Sequence, residues 1–263
     1  MQFLCNPILY AIQEDQIENP FKLRLLPESH ILKGLKDGSL EMGFLSPFSY
    51  AHNQGEFQIV SDFVIQSPQT GKNALIFFKG SLDDINQIYY QKNKYTGDFD
   101  RFIAQWVLHE IFDIEVEWNA IEKLSMNEKT LDKYEVIFVY GEDAFEFYSD
   151  FENYIDLTEE WTLNTRLPLI HQLLCVSNSF TDKTALEKLR LSRELGLRNL
   201  MKISKSYAER HSQNWDIYFD LLNETYQYLP DSRVWGALEQ LLASMFYRNV
   251  VDYLPEIKIY QEI

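Results

Sequence analysis

The chain has 263 residues, of which 46% are hydrophobic and 15% aromatic, a composition that excludes disordered, collagenous and low-complexity proteins. Its 24 Lys and Arg residues are outnumbered by 40 Asp and Glu residues, which gives a net charge of −16. A nucleic acid or an anionic membrane needs a basic face, so we expect neither as a partner.

Two cysteines, Cys5 and Cys175, are too few for a disulfide framework. The opening segment is apolar but has no cationic region of the kind that starts a signal peptide. The sequence therefore predicts a cytoplasmic protein.

Short strand-like runs alternate with helical patterns along the first two thirds of the chain, which predicts an α/β fold with largely parallel sheets. We expect strands at residues 1–5, 22–26, 42–45, 57–65, 73–79, 88–90, 136–140 and 167–176. Helices are expected at residues 8–14 and 29–36, after Thr96, and in two long amphipathic stretches that begin near Thr184 and Ser232.

The pattern restarts near residue 85 as though a second sheet begins, and it later returns to the first. This predicts two lobes with a central cleft, with residues 1–84 and 163–263 in lobe 1 and residues 85–162 in lobe 2. Ligands of open α/β sheets bind beyond the carboxyl ends of the strands. In this sequence those ends lie beside Asn6, Ser46, Thr96 and Gly141.

Several common catalytic motifs are absent from the sequence. It contains no glycine-rich phosphate loop and no nucleophile elbow. Its five histidines lie far apart and its cysteines are not paired in the sequence, so no metal site is expected. We interpret His109 and His171 as structural residues, although His171 lies close to a predicted lobe crossing.

Five segments, taken in order, resemble one family. They are FLCNPILYAI, GSLEMGFLSPFSYAHNQGEFQIVSDFVI, YEVIFVYGEDAF, NYIDLTEEWTLNTRLPLIHQLLCV and LRLSRELGLRNL. Together they are similar to the chorismate dehydratases, the first enzymes of the futalosine route to menaquinone. The resemblance covers nearly the whole chain.

This resemblance implies a bilobal fold of the type II periplasmic-binding-protein kind, with two mixed sheets, a central cleft and C-terminal helices. It also implies a cytoplasmic lyase that dehydrates chorismate to 3-[(1-carboxyvinyl)oxy]benzoate. Aromatisation drives that reaction, so neither a metal nor a redox cofactor is expected. The enzyme must hold two carboxylates, remove a ring proton and assist departure of a hydroxyl group.

The resemblance also implies roles for individual residues. Asn6 corresponds to the catalytic asparagine, although it also suits the cap of a helix after Pro7. Ser46 can donate to a substrate carboxylate or cap its own helix. Glu142, or Asp143 after a one-residue shift, can act as a base or bond backbone N–H groups. The remaining candidate substrate contacts are Asn73, Thr96, Gly97, Arg101 and Gly141, with Lys72 and Arg166 as anion contacts suggested by loop position alone.

One segment departs from the family pattern. The family has a turn rich in serine and threonine that grips a substrate carboxylate, whereas this chain has Asp98 and Asp100 there. Two acids in that turn would repel a carboxylate, and Arg101 could offset them.

Two alternative functions therefore remain open. One is a diverged protein of the same fold that binds another small anion without catalysis. The other is a lyase like the dihydroxynaphthoate synthases, which have a histidine where this chain has Gly141-Glu142-Asp143, so that another proton carrier such as His171 would be required. The oligomeric state is left open between a monomer and a homodimer.

Overall fold

The computed structural model describes residues 2–18, 21–82, 85–92, 98–124, 129–148, 151, 153–211 and 214–261. The chain divides into two compact units. Unit 1 comprises Met1–Ser67 and Ile170–Ile263, and unit 2 comprises Pro68–Leu169. Within the described ranges, every helix is too short or too polar to span a lipid bilayer.

The described elements, in chain order, are α1 Gln2–Gln13, α2 Glu28–Asp37, β1 Met42–Leu45, α3 Pro47–Ala51, β2 Phe57–Ser67, β3 Ala74–Phe78, β4 Gln87–Gln91, α4 Asp98–Glu110, β5 Glu117–Ile121, α5 Thr130–Tyr134, β6 Val136–Tyr140, α6 Glu142–Phe147, β7 Tyr154–Asp156, α7 Leu157–Thr165, β8 Leu169–Ser177, α8 Lys183–Leu197, α9 Leu200–His211, α10 Trp215–Asp220, a π-helical turn Leu221–Thr225 and α11 Val234–Tyr247.

The sheet of unit 1 has the strand order β1-β8-β2. Strand β1 runs antiparallel to β8, with Leu45 opposite Leu173. All residues of β8 from Leu169 to Val176 are buried, as expected for a strand covered on both faces.

The sheet of unit 2 is mixed and has the order β5-β4-β6-β3-β7. Strands β5, β4 and β6 are parallel, whereas β3 runs antiparallel to both β6 and β7. The carboxyl ends of β4, β6 and β7 and the start of β3 therefore share one edge of the sheet. We call this edge the strand-end edge of unit 2, and it is where ligands of such sheets bind.

The predicted lobe boundaries followed residues 84 and 162, whereas the compact units divide after Ser67 and Leu169. The difference arises largely from β3, which the sequence assigned to lobe 1. In the structure, Ala74 pairs with Tyr140 and Leu75 pairs with Asp156, and these pairings place β3 inside the sheet of unit 2.

The strand predicted at residues 1–5 is wrong, because these residues begin helix α1. Leu4, Ile8 and Ile12 are all buried at helical spacing. The Ser192 hydroxyl of α8 accepts a hydrogen bond from the backbone N–H of Ala11 at 3.1 Å. A short apolar run is compatible with a strand or a buried helix, and here the packing against α8 stabilises the helix.

Two further predictions need correction. Residues 22–26 form no strand in the part of the chain that the structure describes, and Leu23, Leu25 and Leu26 are 37–53% exposed there. The long helix expected after Thr184 is divided into α8 and α9. Helix α8 ends where the N–H of Asn199 bonds the carbonyl of Gly196, three residues back, and α9 begins at Leu200.

The helix predicted at residues 8–14 starts six residues earlier, at Gln2, and the other predicted elements are confirmed with small shifts of their ends. Helix α2 ends at Gly38, whose φ of 76° lies in the left-handed region that favours glycine. The elements that the sequence did not predict are both edge strands of unit 2, β5 and β7, and the helices α5, α6, α7 and α10.

Candidate functional site

A buried carboxylate organises the strand-end edge of unit 2. Asp156, at the end of β7, is only 3% exposed. Its Oδ2 accepts the backbone N–H groups of Gly71 and Lys72 at 3.1 and 2.9 Å, together with the hydroxyl of Thr70. Its Oδ1 accepts the N–H of Thr158 at 2.9 Å and so caps helix α7. One side chain therefore fixes both the loop before β3 and the start of α7.

The same loop has no space for a larger residue at Gly71. A Cβ atom there would lie 2.2 Å from Oγ1 of Thr158 and 2.6 Å from Oδ1 of Asn73. The next residue, Lys72, has a φ of 52°, which non-glycine residues adopt infrequently. The Asp156 bonds hold this conformation in place.

Asn73 links three elements at the strand-end edge. Its side chain is 1% exposed, and its Nδ2 donates to Oδ1 of Asp100 in α4 at 3.3 Å. Its carbonyl accepts the N–H of Gly141 at 2.7 Å. Gly141 has a φ of 74° and a ψ of −144°, a combination that is essentially restricted to glycine. The structure thus brings Asn73 and Gly141 together, and their roles as substrate contacts stay predictions.

The two acids of the predicted turn are both engaged. Asp98 forms an ion pair with Arg101 at 3.3 Å, and Asp100 accepts the Asn73 amide. Arg101 also approaches the hydroxyl of Tyr90 at 3.4 Å. Thr96 and Gly97 lie outside the described residues.

Glu142 and Asp143 begin helix α6 directly after Gly141. Asp143 is exposed at the surface, and the partial loss of solvent around its carboxyl, followed by the negative charge of Glu142, raises the pKa of that carboxyl. The Asp143 side chain borders a cavity of about 30 Å³ that Gln91 and Phe147 also line. A carboxyl with a raised pKa beside the edge is a candidate for accepting or holding a proton.

Lys72 extends over an aromatic ring, with its Nζ 4.4 Å from the ring centroid of Tyr148. The side chain is half-buried. Among the described residues, no carboxylate forms an ion pair with it. Arg166, the other anion contact suggested by loop position, is exposed and follows α7 in the left-handed region.

Ser46 belongs to unit 1 and is 4% exposed. Its Oγ accepts the N–H of Ser49 at 3.2 Å and so caps α3, as one of the two predicted roles requires. Its N–H and hydroxyl both donate to Oε1 of Glu28, at 2.6 and 2.7 Å. The only proton of the hydroxyl is therefore given to a carboxylate of the protein itself.

Asn6 also belongs to unit 1, and its place differs from the prediction. It lies inside α1, half-buried, one residue before Pro7. The helix already starts at Gln2, so Asn6 does not cap a helix after Pro7. Its catalytic role stays a prediction.

His171 is fully buried on β8, with its Nε2 3.0 Å from Oγ of Ser67. Burial lowers the pKa of this imidazole to about 3. His171 is therefore neutral near neutral pH and is shielded from solvent.

The sequence reading missed Asp156, the residue that organises the edge. A local signal existed, because Asp156 is followed three positions later by Glu159 at the start of a helix, a pattern typical of a capped N-terminus. The contacts to Thr70 and Gly71 are more than eighty residues away along the chain. No local pattern indicates them.

Comparison with known proteins identifies the family. The sequence profile of a family described as menaquinone biosynthesis matches residues 4–246. Among curated protein sequences, none matches this chain.

Solved structures share the fold at low sequence identity. Protein AF1704 from Archaeoglobus fulgidus is 13% identical with a TM-score of 0.73, and the alignment covers 95% of each chain. The periplasmic aliphatic sulphonate-binding protein of Escherichia coli is 12% identical with a TM-score of 0.63, over 99% of this chain and 88% of that one. A Candida albicans gene product described as having the generic periplasmic-binding-protein fold is 10% identical with a TM-score of 0.62, over 98% and 94%.

These likenesses show an α/β fold of the periplasmic-binding-protein type with two mixed sheets. The profile match extends over most of the sequence, from within α1 to within α11. The chain therefore belongs to the menaquinone-biosynthesis family that this profile describes.

Proposed function

We propose that this protein is a lyase of the chorismate dehydratase type. The observation that carries the proposal is the family match over residues 4–246. The five ordered segments that resemble chorismate dehydratases support it. The polar groups at the strand-end edge of unit 2 provide the kind of site that the reaction needs.

The proposed reaction is an elimination that makes the ring aromatic. The C–H bond at the ring carbon bearing the enolpyruvyl ether breaks, and the C–O bond to the ring hydroxyl breaks at the neighbouring carbon. The electron pair of the C–H bond becomes a ring π bond, and the proton and the hydroxide leave as water. The protein has to orient the dianion, accept the proton and stabilise the departing oxygen.

The residues of unit 2 suit these tasks. Asn73 has an amide held by Asp100 on a rigid loop, and this amide can orient a polar group of the substrate. Loss of solvent and the charge of Glu142 raise the pKa of Asp143. A raised pKa makes this carboxylate a better proton acceptor near neutral pH. Arg101, already paired with Asp98, reduces the repulsion between that acid and a substrate carboxylate.

The experiment is to incubate the purified full chain with chorismate and separate the products by liquid chromatography with mass detection. The proposal expects an aromatic product that has lost one water. Unchanged chorismate at stoichiometric enzyme would contradict it.

A variant pair connects the reaction to the site. Asn73→Ala removes the amide and should lower kcat/KM by about 100-fold, the typical effect of losing one oriented donor. Asn73→Ser keeps a hydrogen-bonding group and should retain much more activity. Circular dichroism establishes that both variants are folded, and Asn164→Ala, on the exposed surface of α7, is the control.

A second candidate is a binding protein without catalysis. The name of one structural neighbour favours it, because the Escherichia coli protein is described as an aliphatic sulphonate-binding protein. Thermal stabilisation by an alkanesulfonate, with chorismate bound weakly or unconverted, would support this candidate over the lyase.

The dihydroxynaphthoate synthase alternative depended on His171 as a proton carrier. A fully buried imidazole with a pKa of about 3 is poorly suited to exchange protons with a substrate near neutral pH. This observation argues against that alternative.

A further inference from the structure

The backbone at Lys72 is held in a conformation that costs free energy for this residue type. A φ of 52° belongs to the left-handed region, where glycine and asparagine are favoured. Such residues persist where surrounding contacts fix them, and they concentrate at ligand sites. At Lys72 the fixing contact is Asp156, which binds its N–H at 2.9 Å and is itself buried.

The lysine side chain is held by an aromatic ring instead of a carboxylate. Its ammonium lies 4.4 Å from the centre of the Tyr148 ring, an attraction of the cation–π type. In a chain with 40 acidic residues against 24 basic ones, a half-buried lysine would readily find an acidic partner. Yet among the described residues, none of the Asp and Glu side chains forms an ion pair with Lys72.

Two other cations of unit 2 are already engaged in ion pairs. Arg101 pairs with Asp98, and Lys79 pairs with Asp132 at 2.6 Å on the exposed surface. Lys72 precedes Asn73, whose side chain lies at the strand-end edge. The positive charge of Lys72 is thus available beside the strand-end edge of unit 2.

We propose that Lys72, held over Tyr148, is the residue that selects for a carboxylate on the ring of the substrate. The proposal rests on the proposed function for its substrate class, a small ring bearing two carboxylates. In this chain Lys72 supplies the anion contact that the serine- and threonine-rich turn of the family supplies, since two acids occupy that turn here. The fixed backbone and the aromatic ring keep the ammonium positioned before the ligand arrives.

The test removes the charge with a substitution that the left-handed backbone at this position tolerates. Lys72→Gly removes the ammonium and relieves the left-handed conformation, so the melting temperature should stay the same or rise. The KM for chorismate should increase by about tenfold, the usual effect of losing one charge-assisted contact, while kcat changes little. Lys72→Arg should keep most of the affinity. Lys79→Gln removes a surface lysine of the same unit and should leave KM unchanged.

A binding measurement with benzene-1,3-dicarboxylate, by calorimetry, makes the result independent of turnover. The proposal expects weaker binding of this probe to Lys72→Gly than to the wild type, with a smaller dependence on salt. An unchanged KM and an unchanged probe affinity in Lys72→Gly would overturn it, even if the wild type converts chorismate.

Failure of the lyase proposal would give a different set of results from failure of the Lys72 proposal. If the wild type leaves chorismate unconverted but binds the probe through Lys72, the lyase proposal fails and the anion contact stands. If the wild type neither converts chorismate nor binds the probe, both are overturned.

Discussion

Asp156 shows how a single buried carboxylate can determine the shape of a binding edge. Its two oxygens accept hydrogen bonds from both sides of the sheet edge, from the loop at Thr70–Lys72 and from the start of α7. Each backbone N–H that it binds would otherwise be buried without a partner. We therefore expect this residue to matter for stability as well as for activity.

Replacement of Asp156 by Asn should destabilise the protein by about 2–4 kcal/mol, because an amide can satisfy only some of these donors and has no charge. Urea unfolding followed by circular dichroism measures the change. Asp132→Asn is the control, since its ion pair with Lys79 is more than 60% exposed on both sides and solvent screens it, so this substitution should change stability far less. Equal effects of the two substitutions would contradict the role of Asp156.

Burial of His171 leads us to expect that the free energy of unfolding depends on pH. Its pKa in the folded protein is about 3 and its ordinary value is 6.5, so the unfolded chain binds the proton first as the pH falls. The resulting contribution to stability is complete above pH 6.5 and is lost progressively between about pH 6.5 and pH 3. At pH 5 the loss from this group should be about 2 kcal/mol.

The measurement compares the wild type with His171→Gln in urea at pH 7 and pH 5. The variant cannot take up this proton on unfolding, so its stability should fall less between the two pH values. The same pH dependence in both proteins would show that His171 does not carry the effect.

At the scale of elements, the contact between α1 and α8 explains the principal error of the sequence reading. Gly196 of α8 lies so close to α1 that an added Cβ would be 1.9 Å from the Pro7 carbonyl oxygen. The Ser192 hydroxyl binds the α1 backbone nearby. Helix α8 is about 180 residues away from α1 in the sequence. The opening segment by itself is therefore an apolar run that suits a strand or a buried helix equally well.

Gly196→Ala should destabilise the protein by about 1–3 kcal/mol, because backbone atoms of α1 have to move away. Gly236→Ala, in α11, is the matched control, since a Cβ there has no neighbour within 4 Å. That substitution should stabilise the protein by about 0.5–1 kcal/mol through helix propensity. Thermal unfolding of the two variants measures both effects, and a neutral Gly196→Ala would contradict the close contact.

Elements with strong local signals could be predicted from the sequence. The apolar strand β6, the Ser46 cap of α3 and the stop of α2 at Gly38 each follow from residues within a few positions. The site could be predicted only in part. The family resemblance named Asn73 and Gly141 as substrate contacts, a role that stays a prediction. Asp156 depends on contacts across the sheet that no local pattern contains.

At the scale of the whole molecule, the chain leaves unit 1 after Ser67, builds unit 2 and returns at Ile170. The net charge of −16 is unfavourable for an anionic substrate at long range. Recognition of a dianion in such a protein therefore depends on local donors fixed by the fold. In our proposal these donors are the side chain of Asn73 and the ammonium of Lys72, on a loop that Asp156 holds.

The most direct test of the proposed dehydration uses chorismate labelled with oxygen-18 in its ring hydroxyl. The purified wild-type protein should convert it to an aromatic product that retains the enolpyruvyl group and contains no label, with the label recovered in water. Mass spectrometry of the product and of the water gives both quantities. Recovery of intact labelled chorismate, or release of pyruvate with the label kept on the ring, would contradict the proposed reaction.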